Sequence, residues 1–270
     1  MAIHPTAIVD RSAEIDATAE VGAYAVVEKH VRIGPETRLF PHAYVAEGTT
    51  LGRRCQIHPF AVVGYLPQDL KYEGQPSYTQ VGDETIVREH ATIHRGTEPG
   101  STTIVGRRCY IMSTGHVGHN CVLGDEVKIA NSGLLSGHVR VGNGAFISGN
   151  VSIHQFVRIG ELAMIGGGVR IPKDVPPFML VGPQGVVGPN VVGLRRAGLS
   201  REERAELREC YRLLYRSGLH FSQAIERVAQ LVQTEPGRRL VDFLQAPSRR
   251  GFMPLRRGRR AVEVPDDELQ

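Results

Sequence analysis

Two histidines three residues apart, His116 and His119, stand in the stretch STGHVGHNCVLGD (113–125), and His138 and His154 follow within the next 35 residues. An imidazole with an ordinary pKa of about 6.5 can take and return a proton near neutrality. Three such rings converging with one position left open would instead suit a catalytic zinc ion. A third reading leaves them as solvated surface groups without a task. The stretch has too much glycine for a stable helix and lacks the alternation of a simple strand. Whatever aims these rings must therefore be a larger pattern.

That pattern is a beat of six. Stepping by six from Ile3 to Ile171 gives 29 stops, and 26 of them are Ile, Leu or Val, where chance would put about seven. The run from His116 onward reads Val117, Leu123, Ile129, Leu135, Val141, Ile147, Ile153, Ile159, Ile165 and Ile171. A period of six suits a solenoid of short strands separated by regular turns, as in hexapeptide-repeat parallel β-helices. One aliphatic side chain per hexad would point to the axis and stack on its equivalents in neighbouring coils.

Glycine often follows the aliphatic stop, as at Gly22, Gly34, Gly52, Gly106, Gly124 and Gly142. A tight corner with φ > 0 at these positions is the expected reason. The position two before each stop is often small and should share the inward face. Cys55, Cys109 and Cys121 fall in that slot, which makes them packing thiols. Four cysteines in 270 residues are too few for a disulfide scaffold. His116, His119, His138 and His154 all fall outside the axial slots. With three hexads per coil, the 22 residues from His116 to His138 make slightly more than one turn. His154 lies about one further coil on, so the rings could line one outer groove.

Only Asp69, Gln75 and Pro99 break the beat. They lie in GYLPQDLKYEGQPSYTQ and HRGTEPGSTT, polar stretches that read as loops thrown out from the solenoid without losing its count. Such loops often carry function. Carboxylates near the histidines are sparse in the sequence itself. After Ile171 the beat stops in a Pro/Gly-rich connector. Ser200 and Glu203 then form a capping box, with Leu207, Tyr211, Leu214 and Tyr215 at helical spacing and Gly218 suited to the helix end. Further helices are expected at about 222–233 and 237–245. The organisation expected is a β-helix with its connector over 1–190, a helical domain over 191–250 and a disordered tail over 251–270. From residue 191 onward there are 16 Arg against 11 Asp or Glu and no Lys. This basic region suits an acidic partner or a phosphorylated ligand. No run approaches the roughly 18–20 apolar residues of a membrane span. No secretory signal is visible at MAIHPTAIVD, so a soluble, cytoplasmic protein is expected.

The motifs QDLKYEGQP (68–76), IHRGT (93–97), GHVGHNC (115–121), SGHVRV (136–141), HQF (154–156), DVPP (174–177) and LYRSG (214–218) resemble the UDP-N-acetylglucosamine acyltransferases, the enzymes that open lipid A biosynthesis. The resemblance covers roughly residues 1–250. The hexapeptide beat is shared by many acyltransferases, whereas the QDLKY loop with IHRGT and LYRSG is much more specific. It implies a left-handed parallel β-helix with a C-terminal helical domain, assembled as a homotrimer with active sites between neighbouring subunits. It implies transfer of a 3-hydroxyacyl chain from acyl carrier protein to the glucosamine 3-position of UDP-N-acetylglucosamine. No metal, bound cofactor or nucleic-acid partner is implied.

By the same resemblance His119 is the general base and the Gly137 N–H the oxyanion donor, while His116 positions substrate. Asp69 and Lys71 match sugar-binding loop residues. His138, His154 and Gln155 match groove residues that contact the UDP-sugar or the acyl donor, and Asn190 and Arg196 match a nucleotide-binding segment. Gly167 falls where residue size affects acyl-chain length. Three positions depart from the family pattern: Asn120 replaces an Asp, Val192 a Glu and Ala197 an Arg. They leave open a 3-amino acceptor, which would give an amide in place of an ester. A coenzyme A-dependent acetyltransferase, a zinc hydratase of the carbonic anhydrase type and an inert scaffold are the competing readings.

Overall fold

A computed structural model describes residues 2–255. Over the solenoid each hexad outside the two loops contributes a strand of two to four residues and then turns. Three hexads make one coil, and successive coils hydrogen-bond in parallel into sheets of eleven, nine and eight strands that form the faces of a prism. The whole is a left-handed parallel β-helix with a helical C-terminal region.

The axial columns follow from the six-residue beat. Val105, Leu123, Val141 and Ile159 occupy equivalent rungs of the eight-stranded sheet and are at most 4% exposed. Each such side chain contributes about 1.5–3 kcal/mol by leaving water, and no hexad could bury one alone. Cys55, Cys109 and Cys121 are buried and free. Burial pushes their thiols up to about 11, 11 and 12, so they stay protonated and pack.

The corners are not built as expected. Gly34 and Gly82 do not have positive φ. A Cβ at Gly34 would lie 2.7 Å from the Gly52 carbonyl carbon, and one at Gly82 the same distance from that of Gly106. These glycines are there because adjacent coils meet backbone to backbone. Positive φ falls two residues later, at positions divisible by six, on Glu36, Arg54, Phe60, Asn120 and His138 among others. The left-handed conformation costs an L-residue about 1–2 kcal/mol. The inter-coil ladder holds it in place: the His138 N–H donates to the His119 carbonyl one coil below, at 2.9 Å.

The two loops keep the count because they insert whole hexads. Strand partners stand 18 residues apart at Leu123 and Val141, but 30 apart at Leu51 and Val81 and 24 apart at Val81 and Val105. Both loops leave the nine-stranded sheet, after Val62–Tyr65 and Thr92–His94, and enter the eight-stranded one at Tyr78–Val81 and Thr102–Val105. They therefore project from a single edge of the prism.

The Pro/Gly-rich connector contains a hairpin. Met179–Gly182 continues the eleven-stranded sheet in parallel, and Gly185–Pro189 returns antiparallel to it. Four helices follow: α1 Val191–Arg196, α2 Arg201–Arg216, α3 Phe221–Leu231 and α4 Glu235–Gln245. The capping box at Ser200 and Glu203 is formed. Helix α1 was not anticipated, and α4 starts earlier than expected because Thr234 caps it and Pro236 suits its first turn. The expected disordered tail is corrected over its first residues. Asp174 donates its N–H to the Gly251 carbonyl and accepts from the Met253 N–H, both at 2.8 Å, and Met253 is buried. Residues 256–270 of that expected tail lie outside the described residues.

Candidate active site

The 18-residue coil stacks three columns along the edge from which the loops project. Gly118, Ser136 and His154 form one, His119, Gly137 and Gln155 the next, and Asn120, His138 and Phe156 the third. His116 stands just before this corner, in the strand His116–Val117. A cleft of about 590 Å³ is lined by His94, His116, His119, Gly137, His154, Gln155 and Gln68. Of the histidines counted onto one outer groove, His116, His119 and His154 line this cleft and His138 does not, while His94 is added. His94 is 6% exposed and packs edge-on against His116 at 4.8 Å. It sits in IHRGT, the motif that could have flagged it.

The carboxylates scarce in the local sequence arrive on the loops. Asp69 Oδ2 stands 3.6 Å from His119 Nε2, and Glu98 Oε1 3.5 Å from His138 Nε2. The first is a Coulombic contact, longer than a hydrogen bond. Backbone donation from Lys71 holds the Asp69 carboxyl below its usual range, and His119 acts in the same direction.

The tautomer of His119 follows from its neighbour. Asn120 Nδ2 donates to Glu98 Oε2 at 2.7 Å, and Asn120 Oδ1 accepts from the Thr97 N–H at 2.9 Å. These two bonds fix which end of the amide is oxygen. That oxygen faces His119 Nδ1 at 2.9 Å, so Nδ1 carries the proton. In the neutral ring the lone pair is then on Nε2, the atom that faces Asp69 and Gly137.

Gly137 is buried, and its N–H donates to no acceptor among the described residues. A Cβ at this position would collide with His119 Nε2 and Cε1 and lie 3.0 Å from Cδ2. Only glycine leaves the space beside Nε2 of His119 open.

Burial lowers three of the surrounding rings. Burial pushes His94 down to about 4, with His116 and His119 adding to the effect. Burial also lowers His116, again reinforced by His119, and His116 Nδ1 contacts Thr92 Oγ1 at 2.7 Å. His138 is lowered mainly by burial, against the pull of Glu98. It stacks on Phe156 at 4.7 Å and meets His119 edge-on at 5.2 Å. His154 points its Nδ1 at the Gln155 carbonyl, 3.2 Å away.

The remaining expected residues lie elsewhere on this chain. Lys71 is exposed on the loop near Asp69. Gly167 is exposed at the corner between the eleven- and nine-stranded sheets, between Met164–Ile165 and Arg170–Ile171. Asn190 caps α1, accepting from the Gly193 N–H and donating to the Leu162 carbonyl, and Arg196 is exposed in the last turn of α1. The single chain does not bring these last three to the cleft.

A family profile described as UDP N-acetylglucosamine O-acyltransferase, domain 2, matches residues 174–253. An acyl-[acyl-carrier-protein]--UDP-N-acetylglucosamine O-acyltransferase from Anaeromyxobacter sp. is 47% identical over 253 residues, 92% of this chain and 98% of that protein. One from Syntrophobacter fumaroxidans is 43% identical over 238 residues, 87% of this chain and 92% of that protein. Among solved structures, the UDP-N-acetylglucosamine O-acyltransferase of Moraxella catarrhalis superposes with a TM-score of 0.89 at 40% identity, over 93% of this chain and 99% of that one. The UDP-N-acetylglucosamine acyltransferase of Francisella novicida gives 0.90 at 34% identity, over 97% of this chain and all of the other.

Proposed function

Because this chain belongs to the acyl-[acyl-carrier-protein]--UDP-N-acetylglucosamine O-acyltransferase family, we propose that it moves a 3-hydroxyacyl chain from acyl carrier protein to the glucosamine 3-position of UDP-N-acetylglucosamine, with His119 as the base. The observation that carries this reading is the fixed Asn120 amide, which leaves the His119 lone pair on Nε2 beside the free Gly137 N–H.

His119 Nε2 accepts the proton of the sugar 3-hydroxyl as that oxygen attacks the thioester carbonyl. The Gly137 N–H donates to the oxyanion of the tetrahedral intermediate, where a preorganised donor stabilises developing charge at no reorganisation cost. Collapse breaks the carbon–sulfur bond, and Nε2–H returns its proton to the departing thiolate. Asp69 stabilises the transient imidazolium across 3.6 Å and, with Lys71, holds the sugar. Asn120 orients the ring without supplying negative charge, so Asp69 is the carboxylate closer to the developing charge. His116, His138, His154 and Gln155 shape the groove.

Gly167, Asn190 and Arg196 belong to the same site in a homotrimer, in which a neighbouring protomer supplies the nucleotide-binding segment. The guanidinium of Arg196 suits a diphosphate. The reaction is placed in the cytoplasm, at the opening of lipid A synthesis. No described helix is long and apolar enough to cross a membrane. The test is incubation with UDP-N-acetylglucosamine or its 3-amino analogue and a panel of acyl carrier protein thioesters, with products identified by mass. Absence of any acylated sugar nucleotide overturns the reading.

A further inference from the structure

Beside the catalytic groove lies a second cleft of about 430 Å³, walled by Asn120, His138, Arg140, Phe156, Arg158 and Arg249. Three guanidiniums meet there, and no carboxylate lines the wall. Two carboxylates lie behind it and are already engaged. Asp174 is saturated by Arg158 and Ser248 at 2.7 Å each. Glu98 is held by Asn120 and His138.

The three arginines are not equivalent. Arg158 is a structural pin, paired with the fully buried Asp174 and stacked over Phe243 at 4.4 Å. Arg140 is exposed, and its guanidinium makes no ion pair or hydrogen bond among the described residues. Arg249 rests its guanidinium 4.9 Å above the Phe156 ring and has no acidic partner among the described residues. The contacts His119 to His138, His138 to Phe156 and Phe156 to Arg249 run in series at 5.2, 4.7 and 4.9 Å. Two unpaired guanidiniums therefore stand a short column of rings away from the reacting centre.

Guanidiniums without acidic partners in a concave site select phosphate or carboxylate oxygens. We propose that Arg140 and Arg249 bind a phosphate ester of the reactants, and that this is the phosphodiester of the donor's phosphopantetheine arm. The assignment rests on the acyl carrier protein being the donor. Such a donor presents its thioester at the end of a flexible arm whose other end is a phosphodiester. Anchoring that phosphate one column from His119 fixes the thioester without consuming any group of the catalytic centre. The other phosphate in the reaction, the diphosphate of the sugar nucleotide, is the competing source.

The test is direct binding of phosphopantetheine and of pantetheine, both without an acyl group, to the wild-type protein and to the double variant Arg140→Ala/Arg249→Ala. The wild-type protein is expected to bind the phosphorylated form at least about tenfold more tightly, the size of one lost charge-assisted contact. The double variant is expected to lose that preference, and Arg249→Lys to keep part of it. Equal affinity of the wild-type protein for both forms, or a preference that survives in the double variant, overturns the proposal. In turnover the variant should raise KM for acyl-phosphopantetheine and leave that for UDP-N-acetylglucosamine unchanged. A raised KM for the sugar nucleotide alone would assign the cleft to the diphosphate and overturn the donor-arm assignment. Binding needs no chemistry, so a protein that binds phosphopantetheine as expected but transfers no acyl group would sink the proposed reaction and leave this site standing.

Discussion

Replacing Gly137 by alanine adds one methyl group at the point where the proposed base and oxyanion donor meet. Its Cβ would overlap Nε2 and Cε1 of His119 and lie 3.0 Å from Cδ2, whereas relaxed contacts between such atoms need about 3.5–4.0 Å. The ring must give way by about 1 Å, since the methyl is fixed to a corner of the prism. A displacement of about 1 Å at a reacting group costs about a hundredfold in rate. Complete loss of the base would cost about 10²–10⁴-fold. A fall in kcat/KM between about 10² and 10³ is therefore expected. Gly137 does not have positive φ, so alanine brings no backbone penalty, and the clashing group is the end of a side chain. The melting temperature should then stay within a few degrees of wild type. Steady-state kinetics with UDP-N-acetylglucosamine varied at saturating donor, beside a thermal melt, read both quantities. A variant that keeps more than a tenth of wild-type kcat/KM while folded would refute the geometry described here.

Four further outcomes are expected. Asn120→Leu, which removes the acceptor that fixes the Nδ1 proton, should lower kcat at least about tenfold with little change in KM; an unchanged kcat would dismiss the tautomer argument. Gly34→Ala should destabilise the coil stack by about 2 kcal/mol or more, because its Cβ would meet backbone of the next coil at 2.7 Å. Glu36→Gly, which relieves a positive φ of 57°, should be neutral or stabilise by about 1 kcal/mol; urea unfolding compares the two, and the reverse ranking would contradict the corner geometry. His94 has a folded-state pKa near 4, depressed from 6.5, so the unfolded chain binds more protons between those values. Its contribution to stability is fully present above pH 6.5 and is lost as pH falls towards 4. His94→Leu should flatten the acid limb of a denaturant midpoint against pH, and an unaltered slope would reject the buried neutral ring.

The axial half of the fold is legible because burial there admits only aliphatic side chains, and a coil of three hexads repeats that demand at every sixth residue. The corners are not legible in the same way. Glu36, Arg54 and Phe60 adopt positive φ under pressure from the inter-coil ladder, and nothing about these residue types announces it. The glycines that do stand out, such as Gly34 and Gly82, mark close approach of backbones and not unusual dihedrals. At the site, the outward histidines could be counted onto one edge. Asp69 and Glu98 could not, because their positions depend on where two inserted loops fold back. His94 is obscured by its place directly after an axial isoleucine, where a buried ring reads as packing. Helix α1 escaped notice because six residues with two valines and a glycine carry little helical signal. Asn190 and Arg196 lie away from the cleft on the single chain, and the proposal brings them to it through a second copy, a relation that no single-chain pattern encodes.

The most direct measurement compares wild-type protein and His119→Ala, each given UDP-N-acetylglucosamine and 3-hydroxyacyl-acyl carrier protein, with the sugar nucleotide followed by mass and by rate. The expected result is an O-acylated sugar nucleotide from the wild-type protein and a rate lower by about 10²–10⁴-fold from a variant that still binds UDP-N-acetylglucosamine. Near-equal rates from the two proteins would contradict the role given to residue 119.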